Sequence, residues 1–237
     1  IWLASIFMEN CTVIDCRGDA LFANVFVGRP FEIRSSIICD NNRCGLDWGA
    51  LRYRFDEDSC VCGSLLDQDE DGIPDDCEDQ DHSIASLVHA AIDAGDTEVQ
   101  LPPGQFRLAA PLSLGVLQSP LTIKGDPDGG TELSGRGLVP IVLLSHNASG
   151  VTCRIANVDL VQGFGYAGGA VSSFFAFTEL AIDNVTVKEC SAEKGGGVFA
   201  YSSSFTFEEV VFQDCLANDG NALRIDQRSS SDSARIS

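Results

Sequence analysis

One apolar pattern returns along this chain at a nearly fixed interval, and the interval restricts the folds open to it. Ile6, Met8, Cys11 and Val13 define the frame h-x-h-x-x-(h, C or S)-x-h. Phe31, Ile33, Ser36 and Ile38 repeat it, as do Cys153, Ile155, Val158 and Leu160. So do Leu180, Ile182, Val185 and Val187, and then Phe205, Phe207, Val210 and Phe212. The step is 25 residues from Ile6 to Phe31, 27 from Cys153 to Leu180 and 25 from Leu180 to Phe205. Three residues beyond each last position stands Cys16, Asn41, Gly163, Cys190 or Cys215. Strict alternation within each pair marks short strands with one buried face, separated by a bend.

A second motif follows most of these units: Gly18-Asp19-Ala20-Leu21, Gly168-Gly169-Ala170-Val171, Gly196-Gly197-Val198-Phe199 and Gly220-Asn221-Ala222-Leu223. Its leading glycine offers a positive φ for a turn, and the apolar pair opens another short strand. Each unit therefore reads as one coil of two or three strands. Ordering a coil costs about 1–2 kcal/mol per residue. Each buried side chain returns only about 1.5–3 kcal/mol. A lone coil does not fold; stacked coils share ladders and a core. Leucine-rich repeats have a similar length but need a frame that is absent, and left-handed β-helices step by hexapeptides. The expected fold is all-β, a right-handed parallel β-helix.

A different grammar governs Asp67-Gln68-Asp69-Glu70-Asp71-Gly72-Ile73-Pro74-Asp75-Asp76-Cys77-Glu78. Counting from Asp67, carboxylates fall at positions 1, 3, 5, 9 and 12, glycine at 6, and a usable carbonyl, that of Ile73, at 7. Hard oxygen donors on one short loop suit calcium, whose coordination takes six to eight of them. An acidic solvated linker is the alternative, but it gives no reason for glycine at 6 and glutamate at 12. Ser59-Cys60-Val61-Cys62-Gly63 upstream is a poor EF-hand helix, and Pro74 at position 8 lacks the N–H that paired EF-hands share. The stretch from Asp67 to Asp81 resembles thrombospondin type 3-like repeats of secreted and cell-surface proteins. That resemblance implies a calcium-stiffened linker with Asp67, Asp69, Asp71, Ile73, Asp75 and Glu78 as ligands.

Composition narrows the partners. A formal charge of −20 repels nucleic acid and anionic lipid, so neither is expected to bind. Ten cysteines in 237 residues suit an oxidising compartment, extracellular or cell-surface. No apolar run reaches the length of a membrane span. The chain opens directly into strand-like sequence and reads as an internal piece of something longer, neighbouring domains included.

Three regions follow. Residues 1–45 hold the last coils of one β-helix. Residues 46–82 form an irregular connector with Cys60, Cys62, Cys77 and the acidic loop. Residues 83–237 begin a second β-helix. There Ile84, Leu87, Val88, Ala91 and Ile92 recur at helical spacing, with Ser83 as N-cap and Gly95 as stop. A strand at 97–101 and a turn at Pro102-Pro103-Gly104 come next, then early coils at Leu121–Gly125 and Ile141–Leu144. This order resembles the opening of pectin lyase-like β-helix domains, in which a short helix lids the first coil.

Tests for chemistry come out mostly negative. Cys11 and Cys153 fall inward, as inert core thiols. Cys190 and Cys215 share a frame position on adjacent coils, where a disulfide and a plain stack of thiols are equally open. Cys39, Cys44, Cys60, Cys62 and Cys77 surround the connector; disulfides are favoured over zinc because Cys60-x-Cys62 lacks zinc spacing and no histidine pair follows. His82, His89 and His146 have no triad partners at suitable spacing. The N-T-D, D-D, H-G and R-I-K blocks of polygalacturonase-like enzymes are missing, Leu223-Arg224-Ile225-Asp226 being a faint echo. Arg154 and Arg224 stand apart from the calcium loop that a pectate lyase-like site would need. Glu208-Glu209 point to opposite faces if the strand alternates. Phe164, Tyr166, Phe174, Phe175 and Tyr201, expected at turns or coil edges, either stack on sugar rings or pack turns. Asn10, Asn147 and Asn184 open formal glycosylation sequons. The expected role is non-catalytic and structural or adhesive, with polysaccharide or cell-surface glycan as a further ligand. The alternative is a polysaccharide lyase or glycoside hydrolase whose site is weakly marked or lies outside this piece.

Overall fold

The structure, a computed structural model, describes the strand backbones between residues 6 and 62 and at 234–236. It describes 81–226 in fuller detail, apart from 116, 146–150, 175–178 and 202–203. The first group forms two parallel stacks. Strands β1 (Ile6–Glu9), β3 (Phe31–Arg34) and β5 (Tyr53–Phe55) make one; β2 (Thr12–Ile14), β4 (Ile37–Cys39) and β6 (Cys60–Cys62) make the other. Ile6 sits beside Phe31, Met8 beside Ile33 and Val13 beside Ile38, as the frame requires. Strands β5 and β6 lie within the stretch expected as an irregular connector from residue 46. Tyr53 and Phe55 extend the columns of Phe31 and Ile33, and Cys60–Cys62 extends Ile37–Cys39. The sequence sign was the Tyr-Arg-Phe alternation, which lacks the second half of the frame in its usual place.

Helix α1 spans Ser83–Ala94 and buries Ile84, Val88 and Ala91, with Ile92 packed against the same core. Leu87, expected on that stripe, is 41% exposed. Gly95 ends the helix in the left-handed region at φ 77°, and its N–H meets the Ile92 carbonyl while the Asp96 N–H reaches Ala91. This is the Schellman pairing that satisfies the last carbonyls. The N-cap expectation is corrected: His82 is the cap residue and makes no side-chain cap bond, while Ser83 is already helical. One carboxylate oxygen of Asp81 accepts from the Ile84 N–H at 3.1 Å and from the Ser83 hydroxyl at 2.7 Å. A charged acceptor one residue upstream thus takes over the orphan donor.

Past the helix, three parallel sheets wind as a β-solenoid. The first coil is β7 (Glu98–Gln100), β8 (Gly104–Arg107) and β9 (Leu112–Gly115). The second is β10 (Leu121–Lys124), β11 (Thr131–Ser134) and β12 (Val142–Ser145). Then come β13 (Thr152–Val161), β14 (Phe164–Ala167) and β15 (Val171–Phe174), followed by β16 (Glu179–Lys188), β17 (Ser191–Lys194) and β18 (Val198–Tyr201). The last coil is β19 (Ser204–Gln213), β20 (Leu216–Asp219) and β21 (Leu223–Asp226), and β22 (Ala234–Ile236) adds to β19. Cys153, Leu180 and Phe205 stand in one column and Ile155, Ile182 and Phe207 in the next. Val158, Val185 and Val210 make a third, and Leu160, Val187 and Phe212 a fourth. The first two columns are buried throughout; Val210 and Phe212 are partly covered.

The bend inside each long strand has a specific backbone origin. Its fifth frame position is left-handed in Asn157, Asn184 and Glu209, at φ 54°, 49° and 53°. The position before the corner cysteine or glycine does the same in Gln162, Glu189 and Asp214. Asparagine tolerates this region better than most residues, and the Asn184 side-chain amide donates to the side-chain Oδ1 of Asn157 at 3.0 Å. The glycine motif shifts by one residue in the fourth coil. Val171 pairs with Val198 and Val198 with Leu223, so Gly195 matches Gly168 and Gly220. All three have positive φ, whereas Gly196, taken as the turn glycine, does not.

α1 packs on β7 and β9, the outermost strands of their sheets, so it lids the first coil. His89, expected on the polar side, is tied inward: its Nε2 lies 3.1 Å from the Ser113 carbonyl.

Candidate functional site

The proposed calcium ligands Asp67, Asp69, Asp71, Ile73, Asp75 and Glu78 lie outside the described residues. Cys11, Cys44, Cys77, His146 and Phe175 do too. What the structure places is the described chain on either side of that segment. Upstream, Cys60–Cys62 is a rung of a parallel stack. Downstream, the Asp81 N–H donates to the Arg107 carbonyl at 2.6 Å, the Ala109 N–H donates back to Asp81, and the Asp81 side chain caps α1. The described residues nearest the acidic run on either side, Cys62 and Asp81, both take part in β pairing.

The first sheet carries charged and polar side chains outward between its buried columns. Arg154 pairs with Asp183 one coil on. Thr152 donates to Glu179, and Gln162 donates to Glu189 at 3.3 Å. Lys188 lies 3.2 Å from Glu189, and hydrogen bonds from Lys188 first and Gln162 second hold the Glu189 carboxyl below the usual carboxylate range. Arg224 is gripped by Asp226 at 2.6 Å and by Asp219, which raises its pKa further. Both arginines considered as lyase bases thus already hold carboxylates. Glu208 and Glu209 do not alternate as expected: both are exposed, because the left-handed turn at Glu209 interrupts the pleat.

The aromatic expectation also changes. Phe164 and Tyr166 are strand residues of β14, and Tyr201 closes β18. Tyr166 is 49% exposed, and the Lys194 ammonium sits 5.6 Å from its ring centre. One face of that ring is therefore taken by a cation. Beside α1, a recess is lined by Asp81, His82, Ala85, His89, Ala109 and Ala110, but Asp81 and His89 make the structural bonds given above. Among the described residues, no group of three or more histidines, cysteines or carboxylates is placed to hold a metal ion.

Three described cysteines are free and buried: Cys153, Cys190 and Cys215. The stacked pair left open by the sequence is thus a pair of thiols. Burial pushes the Cys153 thiol up to about 12, which makes it an inert core group. Among the described residues, no helix is long and apolar enough to cross a membrane. Comparison with protein-family models, with curated proteins and with solved structures gives no match.

Proposed function

We propose that this chain is a non-catalytic part of a modular extracellular or cell-surface protein, a stiff rod of stacked coils with a calcium-clamped joint. The side chains of Asp67, Asp69, Asp71, Asp75 and Glu78, with the Ile73 carbonyl, form the clamp. The donor set fits the ion: five carboxylates and one carbonyl are hard oxygens at the spacing calcium loops use. The observation that supports the reading is that the described residues nearest the acidic run on each side, Cys60–Cys62 and Asp81, are β-paired. A loop tethered that way transmits its own order to the strands beside it. Without the ion, crowded carboxylates repel and the joint loosens. The finer identification, pectin lyase-like coils joined by a thrombospondin type 3-like repeat, belongs to this reading. So does glycan as a ligand, for which half-exposed Tyr166 is the aromatic support among the described residues.

Limited proteolysis tests it. EGTA is expected to open cleavage between residues 62 and 81 before any cut in the coils, and Glu78→Gln to do the same with calcium present. Identical cleavage with and without calcium rejects the clamp.

A further inference from the structure

Cys190 and Cys215 are the pair of reactive groups that the rod reading leaves unused. Both follow a left-handed residue at the same corner of successive coils, Glu189 and Asp214. Their neighbours Ser191 and Leu216 pair across β17 and β20, so the two Cα atoms stand one rung apart. The strand spacing of about 5 Å lies in the range a disulfide spans. Both thiols turn inward. The Cys190 sulfur lies 3.3 Å from the Lys188 carbonyl and accepts from the Gly163 N–H at 3.3 Å. The Cys215 thiol reaches up to the Val187 carbonyl of the preceding coil at 3.5 Å. The two also differ in access, Cys190 being fully buried and Cys215 reaching 9% exposure.

We propose that Cys190 and Cys215 form a redox-active dithiol, in which Cys215 attacks a small-molecule disulfide and Cys190 resolves the adduct into an inter-coil bridge. The Cys215 thiolate displaces one thiolate from the incoming disulfide, giving a mixed disulfide. The Cys190 sulfur then attacks the Cys215 sulfur as its proton passes to the departing thiolate, which leaves as the second thiol. The protein loses two electrons and two protons, and one disulfide becomes two thiols. The order of attack follows from the surroundings. A hydrogen bond from Cys190 holds the Cys215 thiol below its ordinary value, while the same contact and burial push Cys190 up. The Gly163 N–H works the other way on Cys190, but it does not offset them. The resulting bridge ties the last coil to the one before it, independently of any calcium.

The test uses the full chain, folded, with oxidised glutathione at neutral pH and peptide mapping by mass spectrometry. The wild type is expected to yield a Cys190–Cys215 crosslinked peptide while Cys153 stays free. Cys215 is expected to react at least about tenfold faster than Cys153. In Cys190→Ser the reaction stops at a glutathione adduct on Cys215, and in Cys215→Ser position 190 stays unmodified. The bridged chain melts about 5 °C higher. A stable Cys215 adduct in the wild type, or a Cys190 adduct in Cys215→Ser, overturns the assignment. So does failure of either thiol to react while unfolded chain reacts fully.

Discussion

The coils from residue 152 onward and the coils before it solve one stacking problem in two ways. In β13, β16 and β19 the long strand runs ten residues without a break and only bends, at Asn157, Asn184 and Glu209. In the first two coils the same strand is cut in two. β10 pairs with the first half of β13, and β11, six residues further on, pairs with the second half. β7 and β8 split in the same manner. Register survives the cut: Leu121 stands beside Cys153, Ile123 beside Ile155 and Leu133 beside Leu160, all buried. A coil is therefore specified by which side chains reach the interior, and the bend is the place where extra chain can leave.

Insertion is the sharpest way to break this comparison. One alanine added between Ala181 and Ile182, inside the first half of β16 and away from its bend, puts Leu180 and Ile182 on opposite faces and should cost more than about 4 kcal/mol. The same alanine between Asp128 and Gly129, in the exposed stretch separating β10 from β11, should cost under about 1 kcal/mol. Urea midpoints of the two variants measure the difference; equal losses would mean that the bend is no natural exit point. A smaller effect tests the bend itself. Asn184→Ala should lose about 1 kcal/mol, from the left-handed φ and the amide bond to Asn157, and Asn184→Gly should lose less. An equal loss from both would move the cause from backbone to side chain. Smallest of all, Arg154→Ala should change stability by less than about 0.5 kcal/mol, because the arginine side chain is 49% exposed and its pairing is screened.

The same contrast explains what could be read from the sequence. The columns of Cys153, Leu180 and Phe205 were legible because three uninterrupted frames align without gaps. Leu121, Ile123 and Leu133 belong to those columns, yet the break after Lys124 hides the frame from residue counting. Tyr53 and Phe55 were hidden similarly, lying 22 residues beyond their partners Phe31 and Ile33. Backbone detail was less visible still. Side-chain pattern does not reveal which of three successive glycines takes positive φ, and strand pairing assigns that role to Gly195. Nor does alternation anticipate Glu208 and Glu209 facing solvent together, since a left-handed residue cancels the period of two. Leu87 fits the helical spacing but lies beyond the edge of the lid's contact. The proposed calcium ligands rest on spacing and donor chemistry.

Hydrogen exchange across the whole chain, with calcium and with EGTA, bears most directly on the clamped-joint account. Calcium should slow exchange at least about tenfold in residues 67–78 and leave the slow amides of β13, β16 and β19 unchanged. Equal exchange of residues 67–78 in both conditions would contradict it.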